Sequence, residues 1–269
     1  MGHRSRGRAQ AARRVSFHHL DQYATVSSPV TRATPTARVL AATAIAVGTA
    51  ALPLGAWEHL GILAGLVVLV AAAAHVPASL ILRRLAGPFV FVLAASTGLL
   101  FLVPGTPLIH VGPFGISDAG LQRFGFVLGR ASVALTAAVI LVSTTSFPEL
   151  VQALRQLRLP GAVTTALGLG YRLLYLLVDE LERLQRAARS RNAGGGTTRR
   201  RRLLVGITAA GLARAFSRGE RTHRAMLARG FVGDLPSLAP KSWDLGTALT
   251  LAVLIVVVIA ITLSAHVRS

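Results

Sequence analysis

The sequence predicts an all-α integral membrane protein with about five transmembrane helices and a cytoplasmic domain of about three amphipathic helices. Of the 269 residues, 52% are hydrophobic and 14% are charged, whereas soluble domains carry about 25% charged residues. Several apolar runs approach the roughly 20 residues that a helix needs to cross a bilayer. The basic residues lie between these runs, so the net charge of +19 indicates a lipid bilayer as partner and no nucleic acid.

Five apolar runs are the expected membrane spans. They cover about residues 38–54, 59–76, 86–103, 124–144 and 245–265. Pro53 ends the first span and only a short turn separates it from the second, which predicts a helical hairpin. Arg130 lies inside the fourth span and should face other helices rather than lipid, because an isolated charge in hydrocarbon is costly.

The arginines are unevenly distributed between the loops. Seven lie at or before position 38, Arg83 and Arg84 form the next expected basic loop, and sixteen fall between 147 and 241. The turn 55–58 and the loop 104–120 have no lysine or arginine. By the positive-inside rule the N-terminus and the region 147–241 should be cytoplasmic in a multi-pass protein of the cell membrane, with the short C-terminus outside.

These patterns divide the chain into four expected regions. They are a basic cytoplasmic N-terminal segment (1–37), a four-span transmembrane region (38–146), a cytoplasmic helical domain (147–241) and a C-terminal transmembrane helix (242–269).

The first helix of the cytoplasmic domain is short and well delimited. Ser146 suits its N-cap, Pro148 its first turn and Pro160 its end. The second helix should run from about 162 to 191, with leucines on one face and arginines on the other. Its first half, 163–178, is apolar enough to enter the membrane, which leaves a sixth span open as an alternative.

The third cytoplasmic helix should run from about 203 to 229 and end at Gly230. Met226 and Leu227 belong to its expected buried face, together with Leu212 and Phe216. The stretch "NAGGGTTRRRR" before it predicts a flexible loop, because three glycines oppose helix formation.

Two triplets of similar composition end the second and third helices: Ala188-Arg189-Ser190 and Ala228-Arg229-Gly230. An arginine suits the C-terminal end of a helix dipole, which is a sufficient explanation of either triplet alone. As a pair they indicate more, because small neighbours allow another surface to approach and a guanidinium can form a forked contact with a carboxylate. With 29 basic and only 10 acidic residues in the chain, we expect an acidic partner.

No catalytic constellation is present in the sequence. It contains no Gly-rich phosphate loop, no His-Glu-x-x-His motif and no cysteine, so we expect no catalytic residue, cofactor or metal site in this chain. His18 and His19 could contact a metal, but adjacent residues do not share a helix face. His75 and His110 flank spans and should be interfacial.

The chain resembles the transmembrane T component of energy-coupling factor (ECF) transporters of the cobalt or nickel type (CbiQ-like). The resemblance covers nearly the whole chain after about Phe17. It rests on "LDQYATVSSPVTRATPTARVL", on "FPELVQALRQLRLP" followed by "LGLGYRLLYLLVDELERLQRAARS", on "RGERTHRAMLARGF", and on the final span. Arg38 stands where the family often has lysine.

The resemblance implies a non-catalytic subunit. Its two triplets, with Arg189 and Arg229 at their centres, would end coupling helices that dock into two ABC ATPase subunits. Its membrane helices would hold a membrane-embedded, substrate-binding S component (CbiM-like) that captures cobalt or, next in order, nickel. One alternative is a T component that serves vitamin-binding S components. An alternative of another class is a membrane scaffold that binds anionic lipid or an acidic cytosolic partner without transport.

Overall fold

The computed structural model describes residues 29–104, 107–111, 114–190, 197–233 and 245–268. The basic segment 1–28, with His18 and His19, therefore lies outside the described residues. Contacts divide the chain into two compact units, one of residues 1–150 and 241–269 and one of residues 151–240. Each unit is described by itself below.

Ten helices and two short strands make up the described residues. They are α1 (Pro29–Arg32), α2 (Pro35–Ala51), α3 (Trp57–Ala73), α4 (Ala78–Ser96), α5 (Gly98–Leu102), β1 (Pro107–Val111), β2 (Phe114–Ser117), α6 (Asp118–Thr144), α7 (Phe147–Gln156), α8 (Gly161–Ser190), α9 (Thr197–Leu227) and α10 (Leu245–Arg268). The predicted all-α fold class is confirmed, apart from the antiparallel β1–β2 hairpin, which lies in the predicted loop 104–120.

Helix α6 is the central helix of the first unit and packs against α2, α3, α4 and α5. Its Phe126 is almost fully buried and meets Trp57 of α3 edge to face, with ring centroids 5.3 Å apart. Helix α10 packs against α2 and α3, and its Val258 belongs to the same buried core. The last span is thus joined to the bundle formed by the N-terminal half of the chain.

Glycines allow the helices of the first unit to approach closely. A Cβ atom at Gly129 of α6 would lie 2.8 Å from Leu60 Cδ2 of α3, and one at Gly48 of α2 would collide with Val258 of α10. Small residues at helix contacts are typical of membrane bundles, where close backbone approach replaces hydrophobic attraction.

Arg130 connects α6 to the C-terminal end of α2. Its Nε donates a hydrogen bond to the Thr49 carbonyl at 2.9 Å and its Nη2 donates to the Ala50 carbonyl. Its guanidinium also lies 5.4 Å from the centroid of the Phe126 ring. The last carbonyls of a helix have no partner within the helix, so Arg130 satisfies them. The prediction that it faces other helices is confirmed.

The first two predicted spans appear as the 17-residue helices α2 and α3. At 1.5 Å per residue each is about 26 Å long, slightly shorter than a hydrocarbon core of about 30 Å. Thr34 caps α2 by accepting a hydrogen bond from the Ala37 amide, and Pro35 occupies the first turn. Both helices have about the predicted length but begin and end two or three residues earlier than predicted, with their last residues at Ala51 and Ala73.

The third predicted span begins too late. Arg83 and Arg84 were expected in a loop, but both lie in the second turn of α4. Arg84 is accommodated there because its Nη1 donates a hydrogen bond to Ser143 Oγ of α6 at 2.8 Å. A long basic side chain near a helix end can keep its charge at the interface while its stem covers apolar surface.

Four helices are long and apolar enough to cross a membrane, judged by length and composition within the described residues. They are Ala78–Leu100, Asp118–Thr144, Gly161–Ala188 and Gly246–Val267. The third of these corresponds to α8, so the segment 163–178, predicted to be apolar enough to enter the membrane, lies in a helix that is also long enough to cross it.

Candidate coupling site

Helices α8 and α9 pack side by side in the second unit. A Cβ atom at Gly211 of α9 would lie 2.7 Å from Leu181 Cδ2 of α8, and Arg214 of α9 forms an ion pair with Glu180 of α8. The space between the helices continues from these contacts toward Leu173 of α8 and toward Arg221 of α9, so residue numbers fall along α8 in the direction in which they rise along α9. The two helices are therefore antiparallel.

A groove of about 910 Å³ lies between these helices. Leu173, Leu176 and Leu177 of α8 and Leu212 and Phe216 of α9 line it. Leu212 is 54% and Phe216 71% exposed, although the sequence predicted them on a buried face. The prediction of burial was wrong because the hydrophobic pattern identifies an apolar face and not the surface that covers it.

Three ion pairs use acids among the described residues of this unit. Besides Arg214 with Glu180, the sequence-local pairs are Arg186 with Glu182 at 3.1 Å and Arg224 with Glu220 at 3.2 Å. All three involve partly or largely exposed side chains, so each contributes about 0–1 kcal/mol at most. Glu182 and Arg186 are four residues apart and therefore lie on the same face of α8.

The triplet Ala228-Arg229-Gly230 forms a defined C-terminal cap on α9. The Phe231 amide donates to the Met226 carbonyl and the Gly230 amide donates to the Leu227 carbonyl, both at 3.0 Å. Gly230 has φ +80°. These two bonds and a left-handed residue define the Schellman motif, in which the fixed turn leaves the Arg229 side chain exposed at the helix end.

The triplet Ala188-Arg189-Ser190 closes α8. The helix continues through Ser190, and Ser190 Oγ donates a hydrogen bond to the Ala187 carbonyl at 2.9 Å. Arg189 has helical backbone, while its side chain lies outside the described part of the structure. The predicted loop "NAGGGTTRRRR" was partly wrong, because α9 already begins at Thr197 and includes the arginine run.

The structure does not bring the two triplets together. Each triplet lies at the C-terminal end of its own helix. Because α8 and α9 are antiparallel, these two C-terminal ends lie at opposite ends of the helix pair. At 1.5 Å per residue from the Leu181–Gly211 contact, the two ends are on the order of 40 Å apart along the helix axes. The pair therefore offers two separate basic ends rather than one combined site.

A further polar cluster surrounds Arg38 in the first unit and was not predicted. Arg38 is 6% exposed and contacts Glu149 of α7, with Nη2 and Oε1 at 3.5 Å. The one sequence signal was Ser146-x-x-Glu149, because serine followed three positions later by glutamate is the capping-box pattern. The sequence did identify Ser146 as a cap.

The sequence of this chain is similar to those of a known protein family and of several known proteins. The sequence profile of the CbiQ family, described as cobalt transport protein, matches residues 27–240. The chain belongs to the CbiQ cobalt transport protein family. This family member is also 30% identical over 228 residues to the energy-coupling factor transporter transmembrane protein EcfT of Heliobacterium modesticaldum, covering 80% of this chain and 84% of that one.

Two further relatives carry the name cobalt transport protein CbiQ. The protein of Salmonella typhimurium is 32% identical over 116 residues, which cover 40% of this chain and 52% of that protein. The protein of Rhodobacter capsulatus is 30% identical over 145 residues, which cover 52% of this chain and 59% of that protein. The matched parts thus span little more than half of these two relatives. Together with EcfT they make this family member a T component of ECF transporters.

The described residues of this family member contain no cluster of side chains that could bind a metal ion. No group of three or more His, Asp or Glu side chains is close enough there to hold a metal ion. The relatives are transport subunits by name, and the described helices of this chain include four that can cross a membrane.

Proposed function

We propose that this family member is the energy-coupling transmembrane subunit of an ECF-type ABC importer for cobalt or nickel ions. In this proposal the chain binds two ABC ATPase subunits through its two triplets and binds a membrane-embedded S component (CbiM-like) that captures the substrate. The N-terminus and the coupling domain 147–241 would be cytoplasmic. The chain itself would be non-catalytic, and ATP hydrolysis would occur in the partner subunits.

The observation that carries the proposal is the pair of basic helix ends. Each coupling helix ends in Ala-Arg followed by a small residue, and the second end is held by a Schellman cap that exposes Arg229. An exposed guanidinium on a fixed backbone turn, between small residues, suits insertion into an acidic groove, because small neighbours let the partner backbone approach. Two ends on the order of 40 Å apart suit two separate grooves, as a pair of ATPases would provide.

The antiparallel α8–α9 pair supplies a mechanical connection for this role. ATP binding would move the two ATPases toward each other, and each docked end would follow its own ATPase. Movement of one helix end relative to the other changes the groove lined by Leu177 and Phe216. An S component resting on that exposed apolar surface would respond to the change, since a coupling element must contact its partner differently in its two states.

Cobalt is the expected substrate because two relatives are named cobalt transport protein, and nickel is next. A T component serving vitamin-binding S components is the alternative, because EcfT is the name of the relative with the broadest coverage. Substrate selectivity would belong to the S component and not to this chain.

Co-purification with the two ATPase subunits tests the docking sites. The double charge reversal Arg189→Glu/Arg229→Glu should abolish the complex, because it places acids where the acidic grooves require cations. The matched control Arg183→Glu/Arg221→Glu changes two other arginines of the same helices that lie away from the ends. We expect the control to retain the complex. Undiminished assembly of the first variant would refute docking through the triplets.

A milder substitution separates docking from coupling. Arg189→Ala/Arg229→Ala removes the forked contacts without adding repulsion. Retained ATPase binding with lost metal uptake in this variant would assign the arginines to coupling. Uptake of radiolabelled cobalt and nickel, with all subunits co-expressed, identifies the metal, and transport of neither would contradict the metal assignment.

A further inference from the structure

Arg38 is a buried arginine with a complete set of partners at the start of α2. Its side chain is 4% exposed. Nε and Nη2 donate to the Ala33 carbonyl at 3.3 and 3.2 Å, and Nη2 also donates to the Thr31 carbonyl at 3.3 Å. A charge removed from water to this extent is retained only where hydrogen bonds and an opposite charge compensate its desolvation.

The remaining partners of Arg38 belong to the junction between α6 and α7. Nη1 donates to the carbonyl of Thr144, the last residue of α6, and to Thr145 Oγ1 at 3.2 Å. Nη2 pairs with Glu149 in the first turn of α7. Arg38 therefore connects the beginning of α2, the end of α6 and the beginning of α7.

Glu149 completes the junction from the other side. Its Oε2 accepts a hydrogen bond from the Ser146 amide at 3.0 Å, while its Oε1 pairs with Arg38. The C-terminal end of α6 carries partial negative charge and the N-terminal end of α7 partial positive charge. The Arg38 guanidinium lies at the negative end of α6 and the Glu149 carboxylate at the positive end of α7. The dipoles of both helices therefore stabilise the ion pair.

Only Thr145 and Ser146 separate α6 from α7. Two residues contain four soft backbone dihedrals, which would let α7 change direction freely if nothing else held it. Helix α7 leads through Pro160 into α8, whose far end carries Arg189. A movement of α8 can reach the membrane helices through the chain only if this junction resists rotation.

We propose that Arg38 and Glu149 are positioning residues that lock the α6–α7 junction, so that force on the coupling helices is transmitted to the transmembrane helices. This role rests on the proposed energy-coupling function. Neither residue contacts substrate or nucleotide in this role; both act through the direction of α7.

Glu149→Gln is the informative substitution. Glutamine can still accept the Ser146 amide hydrogen bond as a capping-box residue, so the cap persists while the charge of the ion pair is removed. Glu58→Gln is the matched control, since Glu58 is an exposed acid in the first turn of α3, away from the junction.

The complete transporter, with its ATPase and S subunits, is assayed for assembly, ATP hydrolysis and metal uptake. In Glu149→Gln we expect intact assembly, sustained ATP hydrolysis and a fall in uptake per ATP of at least about fivefold, the lower range of a typical coupling energy. Glu58→Gln should match the parent. Unchanged uptake per ATP in Glu149→Gln, or a loss of uptake explained entirely by less assembled complex, would overturn the proposal.

Hydrogen exchange on the full chain in lipid nanodiscs tests the junction without any partner. Amides of α7 should exchange roughly tenfold or more faster in Glu149→Gln, as expected for loss of one charged hydrogen-bonded contact, whereas α3 should be unchanged. Unaltered exchange in α7 overturns the locked junction. If the parent complex transports no metal while α7 exchange responds as expected, the proposed substrate fails and the junction stands.

Discussion

Three helix ends in this protein share one backbone arrangement but not one residue type. Helices α3, α7 and α9 each end in a Schellman motif. In each motif one residue has a left-handed backbone, at His75 (φ 53°), Arg158 (φ 67°) and Gly230 (φ 80°), and the amide of the next residue donates a hydrogen bond to the carbonyl five positions before it. Only glycine adopts this conformation without steric cost. At His75 and Arg158 the chain accepts that cost, and in both cases an apolar residue and a proline follow.

The strain at Arg158 leads to a stability prediction. A residue with a Cβ atom raises the free energy of the folded state by about 1–2 kcal/mol when its backbone is left-handed. Glycine avoids this steric cost, but it loses about 0.5–1 kcal/mol more conformational entropy on folding. Arg158→Gly should therefore stabilise the end of α7 by about 0.5 kcal/mol or more, because Arg158 is exposed and its side chain is dispensable for packing. Thermal unfolding in detergent and hydrogen exchange in α7 measure the effect.

Arg155→Gly is the control for this prediction. Arg155 lies in the last turn of the same helix with helical backbone, where glycine costs about 1 kcal/mol relative to a good helix former. The two arginine-to-glycine changes should thus have opposite signs. Destabilisation by both would show that Arg158 contributes through its side chain and not through backbone strain.

The sequence could identify polar residues in apolar surroundings but not their partners. Arg130 was predicted to face helices, and it does, yet nothing in the pattern pointed to the Thr49 and Ala50 carbonyls that it satisfies. Backbone carbonyls at a helix end are the same for every residue type, so they leave no signal in the sequence. For the same reason Arg38 was noted only as a substitution for lysine.

At the scale of the elements, periodicity predicted helix α8 well. Helix α8 was expected at about 162–191 and spans Gly161–Ser190. The apolar face of α9 was also recognised, but Leu212, Phe216 and Leu227 are more than half exposed. Burial depends on partners outside the chain, and an amphipathic pattern reports only that some apolar surface will cover the face.

The contact between α8 and α9 depends on the absence of a side chain at Gly211. Gly211→Leu should separate the helices and destabilise the pair by about 1–3 kcal/mol, the usual cost of overpacking. Gly219→Ala is the matched change on the same helix, because a Cβ atom there meets nothing within 4 Å. It should stabilise α9 by about 0.5–1 kcal/mol through helix propensity.

Opposite shifts in thermal unfolding and in hydrogen exchange of α8 and α9 are the expected result for these two glycines. A Gly211→Leu protein as stable as the parent would mean that the helices are not in contact at this position. The prediction does not depend on ATPase binding, because it concerns the unit of residues 151–240 by itself.

The number and direction of the membrane spans are properties of the whole chain. Charge distribution predicts five spans with the coupling domain inside, whereas length and hydropathy alone count α8 among the helices that can cross and α2 and α3 among the shorter ones. The two criteria differ because in a mean hydropathy the many apolar residues of α8 outweigh the exposed Arg172 and Asp179, which a sixth span would have to bury.

Labelling of single introduced cysteines decides between five and six spans. The sequence contains no cysteine, so no native cysteine has to be replaced first. We place one each at Leu54, Ser190, Ser217 and Val267, all exposed positions, and label them with a membrane-impermeant maleimide in intact cells and in inside-out vesicles. Five spans predict that Ser190→Cys and Ser217→Cys react only from the cytoplasmic side and Val267→Cys only from outside, because α8 and α9 then precede a single final crossing. If α8 crosses the membrane, all three reactivities reverse while Leu54→Cys stays outside. Absence of external labelling at Leu54→Cys would show instead that the short α2–α3 hairpin does not traverse the bilayer.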